Sequence, residues 1–177
     1  MTRFLPLLFV SFLPVLGLAN VPETSGKEIS LFDGDSLEGW ESISKWWRVE
    51  EGAITGGSIT ETIPHNDFLA TKASYGNFQL KLKIRIRGGG GFVNSGIQIR
   101  SEPAPKGHEM IGYQVDAGAG WWGKMYDESR RNKVIGEAAN MKAVNAAIRK
   151  DDWNEYVIRA EGPRIRSWIN GIAAIDY

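Results

Sequence analysis

Ten consecutive residues, Phe78-Gln-Leu-Lys-Leu-Lys-Ile-Arg-Ile-Arg87, set an apolar side chain at every even position and a polar one at every odd position. A period of two places all the apolar groups on one side of an extended chain, so the segment reads as an antiparallel strand with one buried and one wet face. Such a strand needs paired neighbours and a second layer to cover it. After Gly88 to Gly91, the run from Phe92 to Arg100 supplies the next, with Val93, Ser95, Ile97 and Ile99 on one face and Asn94, Gln98 and Arg100 on the other. Shorter strands are expected near Trp47–Glu50, Ala53–Thr55, Phe68–Thr71, Tyr113–Asp116 and Trp153–Ala160. Glu161-Gly162-Pro163 and Asn170-Gly171 signal turns, the latter a hairpin. Only Gly136 to Lys150 has helical spacing, through Met141, Val144 and Ile148. Many short strands joined by glycine turns predict an all-β chain: an antiparallel sandwich or jelly roll of two packed sheets.

Length and charge narrow the function. The 177 residues make one domain, and 21 basic against 21 acidic side chains leave no net charge to attract a nucleic-acid backbone or an anionic membrane. The absence of cysteine rules out disulfides, thiolate metal sites and a cysteine nucleophile, and two histidines are too few for a multi-histidine zinc site. Arg3, the apolar run from Phe4 to Leu18 and the small residues Gly17 and Ala19 read as a secretory signal peptide over residues 1–19. That run is short for a membrane span, so no integral span is expected after cleavage, and the expected location is secreted or periplasmic, in a bacterial envelope.

Polar residues gather in the middle of the chain. Asn94, Gln98 and Arg100 share a strand face, and Asn94-Ser-Gly96 puts a glycine where another backbone or a ligand comes close. In His108-Glu-Met-Ile-Gly-Tyr-Gln-Val-Asp116, a strand sends Gln114 and Asp116 to the same side. A carboxylate beside amides and an arginine can act as a general base or hold a sugar hydroxyl. The competing reading makes Asp116 a turn former at a strand end. Gly118-Ala-Gly-Trp-Trp-Gly123 carries two indoles on a glycine-rich loop, where Trp121 and Trp122 stack on a sugar, or one of them plugs the end of the sandwich. Tyr126-Asp-Glu-Ser-Arg-Arg-Asn-Lys133 is a mixed-charge run of the kind that forms solvated loops, though Arg130 or Arg131 could clamp a carboxylate or an oxyanion.

Several blocks together resemble the 3-keto-disaccharide hydrolase family. They are Leu31-Phe-Asp-Gly-Asp-Ser-Leu-Glu-Gly-Trp40, Trp47-Arg-Val-Glu-Glu-Gly-Ala-Ile54, Asn94-Ser-Gly-Ile-Gln-Ile-Arg100, Gly112-Tyr-Gln-Val-Asp116, Trp122-Gly-Lys-Met-Tyr-Asp-Glu-Ser-Arg-Arg131, Trp153-Asn-Glu-Tyr156 and Trp168-Ile-Asn-Gly171. The resemblance runs over residues 28–177 and implies a concanavalin A-like, laminin G-like jelly roll, with the last strands of the pattern expected to lie beyond Tyr177. It implies a carbohydrate substrate, a glycoside oxidised to a ketone at C3. Such a ketone acidifies the C2 proton, so a base can remove it and the C1 substituent leaves by elimination before water adds. By matching position it implies Asn94, Arg100, Glu109, Gln114, Asp116, Tyr126, Glu128 and Arg130 as site residues. The roles assigned are Asp116 or Glu109 as base, Arg100 and Arg130 as clamps for the enolate or a hydroxyl, and Tyr126 as proton donor. Gln98, His108, Trp121 and Trp122 join Asn94, Gln114 and Glu128 as substrate contacts. No cofactor is fixed by the resemblance, which leaves a divalent metal held through carboxylates open. The alternative is a non-catalytic carbohydrate-binding module on the same sandwich, which needs the tryptophans and neither carboxylate.

Overall fold

The computed structural model of the chain describes residues 21, 26–42, 44–88 and 93–177; the expected leader, 1–19, and Phe92 lie outside them. The regular structure of the described chain is strand except for one short helix. Its elements are β1 (Trp40–Glu41), β2 (Trp47–Glu50), β3 (Ala53–Gly56), β4 (Ala70–Thr71), β5 (Phe78–Ile84), β6 (Asn94–Pro103), β7 (Met110–Gly118), β8 (Lys124–Glu128), β9 (Val134–Glu137), α1 (Met141–Ala147), β10 (Asn154–Glu161), β11 (Arg164–Ile169) and β12 (Ile172–Asp176). Two four-stranded antiparallel sheets, ordered β12-β11-β10-β5 and β6-β7-β8-β9, form the sandwich, and β1-β4 and β2-β3 are separate ribbons.

The alternation in β5 sets the first sheet. Leu80, Leu82 and Ile84 turn inward beside Tyr156, Ile158 and Ala160 of β10, because Leu80 pairs with Ile158 and Leu82 with Tyr156. From the second sheet they meet Ile97, Ile99, Val115, Ala117 and Met125. Each such apolar side chain taken fully from water contributes about 1.5–3 kcal/mol, and Val115, Ala117, Met125, Tyr156 and Ile158 are completely buried. Asn170 and Gly171, at φ 48 and 79, make the hairpin between β11 and β12, where the left-handed backbone both residues tolerate matches the twist of the strands.

The helix is shorter than its spacing predicts. Gly136 belongs to β9, where it pairs with Met125, and α1 begins only after Asn140, whose side chain accepts a hydrogen bond from Ala143 N at 3.0 Å. Similarly, the strand expected at Phe68–Thr71 shrinks to β4, whereas that at Tyr113–Asp116 grows to nine residues. The helix packs on β12, which also meets β8 and β9 and closes that side of the sandwich. Among the described residues, no helix is long and apolar enough to cross a membrane.

Candidate active site

The register of β6, β7 and β8 puts Gly96 opposite Asp116, aligns Gln98, Gln114 and Tyr126 across three strands, and sets Gly112 opposite Glu128. Residues in register share a face, so the polar side chains of all three strands project away from the core as one surface. With Asn94 at one end, they border a broad hollow that also takes in Trp121 and Arg100. Gly96 is required here. A Cβ on it would stand 2.5 Å from Gln114 Cγ, which lies across β6 and donates from Nε2 to Asp116 Oδ1 at 2.9 Å.

Asp116 is the most unusual group on the surface. Only 1% of it is exposed, and its Oδ2 is buried without a hydrogen-bond partner. Burial pushes its carboxyl up to about 7, with Glu128 adding to the rise while Gln114 and Lys124 oppose it. Its backbone is fixed from behind, where the buried Tyr156 hydroxyl donates to Asp116 O at 2.6 Å. Tyr126 has its phenol raised by burial and then by Glu128 and Asp116, which keeps the proton on the oxygen. Lys124 holds its ammonium 5.5 Å from the Trp121 ring centre and 3.9 Å from Glu137 Oε1. Trp121 in turn meets Tyr126 edge to face at 6.0 Å. Lys124, near enough to Asp116 to draw its carboxyl down, is a candidate that the sequence alone did not single out. The signal was there in Lys124-Met-Tyr126, a two-residue step that belongs to a strand, but the glycine-rich run before it reads as loop.

Glu109 stands at the other end, beside Glu128, whose carboxyl is raised by burial first and then by Glu109. It accepts from Asn66 Nδ2 at 3.4 and 3.3 Å and from Ser129 Oγ at 3.0 Å, and His108 Nε2 lies 3.6 Å from its Oε1. The His108 ring stacks on His65 at 3.6 Å. Glu109 is thus well supplied with partners, whereas Asp116 has a vacant oxygen.

Three expectations need correction. Trp122 is 9% exposed and stacks on Tyr156 in the core, so the two indoles divide their duties and only Trp121 faces the hollow. Arg130 bonds Asp127 through Nε at 3.0 and 3.1 Å and lies 4.8 Å over the Tyr113 ring. Asp127 and Tyr113 pair on the face opposite Asp116, which removes Arg130 from any enolate there. Arg131 is held by the same Asp127 at 2.6 Å. Arg100 borders the hollow but breaks the alternation, for at φ 51 it lies in the bulge between Ile99 and Glu102 and is exposed. Among the described residues, no three His, Asp or Glu side chains are grouped so as to hold a metal ion.

The profile of the 3-keto-alpha-glucoside-1,2-lyase-like domain matches residues 27–177. The chain belongs to this family. No curated protein matches it. Among solved structures, it is similar to a putative glycosyl hydrolase from Parabacteroides distasonis ATCC 8503, at 22% identity and a TM-score of 0.56, over 83% of this chain and 70% of that one. That likeness supports the sandwich fold. Family membership makes this lyase-like domain a carbohydrate-active protein.

Proposed function

We propose that the domain cleaves 3-keto-glycosides by elimination and hydration about C1 and C2. Asp116 removes the C2 proton, made acidic by the adjacent C3 ketone. The electron pair delocalises onto the C3 oxygen, the C1–O bond breaks, and the aglycone leaves as an alcohol after taking a proton. Water then adds across the resulting double bond, its oxygen at C1 and a proton at C2, to give the free 3-keto sugar. Lys124 supplies the positive charge for the enolate, in place of Arg130, Tyr126 supplies the proton for the leaving oxygen, and Trp121 presents a ring to a sugar face. The observation that carries this reading is the buried Asp116 carboxyl, near 7, with one oxygen left unpaired on a face of amides, a phenol and an ammonium. A base of that pKa is matched to work at neutral pH.

The binding-module alternative is weakened because one of its two stacking rings, Trp122, is consumed by the core. The reading includes export, with the leader removed after Ala19, which N-terminal sequencing of protein recovered outside the cytoplasm checks. The functional test offers the purified chain a 3-keto-disaccharide and its unoxidised parent. Cleavage of the oxidised sugar alone is expected. Cleavage of both at similar rates, or of neither, overturns the proposal.

A further inference from the structure

Asp116 is held from two sides. From the core, the Tyr156 hydroxyl of β10 fixes its backbone carbonyl at 2.6 Å. On the site face, Gln114 Nε2 donates to Oδ1 at 2.9 Å, and Oδ2 is buried with no partner. Gln114 reaches its neighbour because the strand opposite has no side chain at that point. Gly96 of β6 pairs with Asp116, and a Cβ on it would stand 2.5 Å from Gln114 Cγ and 2.7 Å from Cδ. Carbon atoms in ordinary contact keep ~3.5–4.0 Å apart, so any larger residue at position 96 displaces the amide. On the other flank, Tyr126 of β8 stands opposite Gln114.

Resting on the 3-keto-glycoside reading, we propose that Gln114 is a positioning residue for the base, tying Oδ1 of Asp116 so that Oδ2 is the oxygen that takes the C2 proton, with the bare Gly96 keeping the amide in place. An untied carboxylate turns about its Cβ–Cγ bond and offers either oxygen. With Oδ1 bonded and the backbone clamped by Tyr156, one oxygen is left to act. A neutral donor fits this task. Lysine or arginine in its place would hold the carboxylate well below neutral and weaken it as a base, whereas an amide orients it at a smaller cost in basicity.

The test reads the Asp116 carboxyl itself, in the full chain without substrate, by infrared titration of the protonated C=O band that Asp116→Asn removes. Gln114→Met keeps an unbranched side chain of similar volume and removes the donor. Gly96→Ala keeps the donor and displaces it. The other groups that act on this carboxyl, Lys124, Tyr126 and Glu128 of β8 and Tyr156 of β10, are untouched in both variants. Burial raises the carboxyl and Gln114 opposes that rise, so the titration midpoint should move up by about one pH unit in both variants, the loss of one charge-assisted hydrogen bond. With a 3-keto-disaccharide, kcat/KM at pH 6 should then fall about tenfold while KM stays unchanged. A midpoint unmoved in either folded variant, or a raised KM with the midpoint unmoved, overturns the proposal and makes Gln114 a packing residue or a substrate contact. The two readings fail separately. A chain whose midpoint rises in the variants but that leaves the keto sugar whole loses the lyase reading and keeps Gln114 as the group that orients Asp116. One that cleaves the sugar while the acid limb of its rate profile ignores Gln114→Met does the reverse.

Discussion

Val115 and Asp116 are neighbours on β7 and almost equally hidden, at 0% and 1% exposure, yet they face different worlds. Val115 points into the sandwich among Met125, Ile158 and Ile99, where burial of an apolar group is its own reward in stability. Asp116 points the other way, and the same burial raises its carboxyl towards 7 and leaves an oxygen unpaired. The adjacent tryptophans repeat the contrast, with Trp122 stacked on Tyr156 and Trp121 set between Lys124 and Tyr126. One face of the second sheet contributes stability and the other holds the candidate site. Substitutions on the two faces should therefore separate stability from activity.

The largest expected effect is on the site face. Asp116→Asn keeps the shape and removes the base, so cleavage of a 3-keto-disaccharide should fall about 10²- to 10⁴-fold while the fold survives; a loss below tenfold would move the base elsewhere. On the core face, Trp122→Ala should destabilise the fold by about 3–5 kcal/mol in denaturant unfolding, whereas Trp121→Ala should cost far less stability and raise KM. Equal destabilisation by the two would erase the distinction between them. Below neutral pH, kcat/KM should climb about tenfold per unit as Asp116 loses its proton, then level off above about 7. A smaller effect sharpens the contrast from the stability side. The folded state holds the Asp116 proton more tightly than the unfolded chain, whose ordinary value is 3.8. This group's contribution to stability therefore declines as pH rises from about 4 to about 7. Asp116→Asn, free of that titration, should melt above the unmutated protein at pH 8, with the gap narrowing towards pH 4.

These contrasts were only partly legible in the sequence. The alternation of β5 and the Asn170-Gly171 turn carry their structure locally, because one strand face and one pair of left-handed residues decide them. Gln114 and Asp116 were placed together by the same rule. The rule failed wherever the backbone leaves it. Arg100 at φ 51 interrupts β6, and after β8 the left-handed Ser129 and Asn132 turn Arg130 and Arg131 back onto Asp127. The run Tyr126 to Lys133 contains the partner itself, Asp127, but no alternation announces the left-handed turn that brings both arginines back to it. The division between Trp121 and Trp122 and the place of Lys124 also depend on how a glycine-rich loop meets Tyr156 from the other sheet. Tertiary contacts of that kind leave no period to read.

The account turns on Asp116 taking a proton from C2, and isotope exchange measures that step itself. The full chain is given a 3-keto-disaccharide in deuterated water, and the released 3-keto sugar is examined before the free sugar exchanges unaided. Elimination followed by hydration predicts one deuterium at C2, formed with the unmutated chain and lost with Asp116→Asn. Released sugar that retains its original C2 proton would show that the glycosidic bond broke without any base acting at C2, and would contradict the assignment of Asp116.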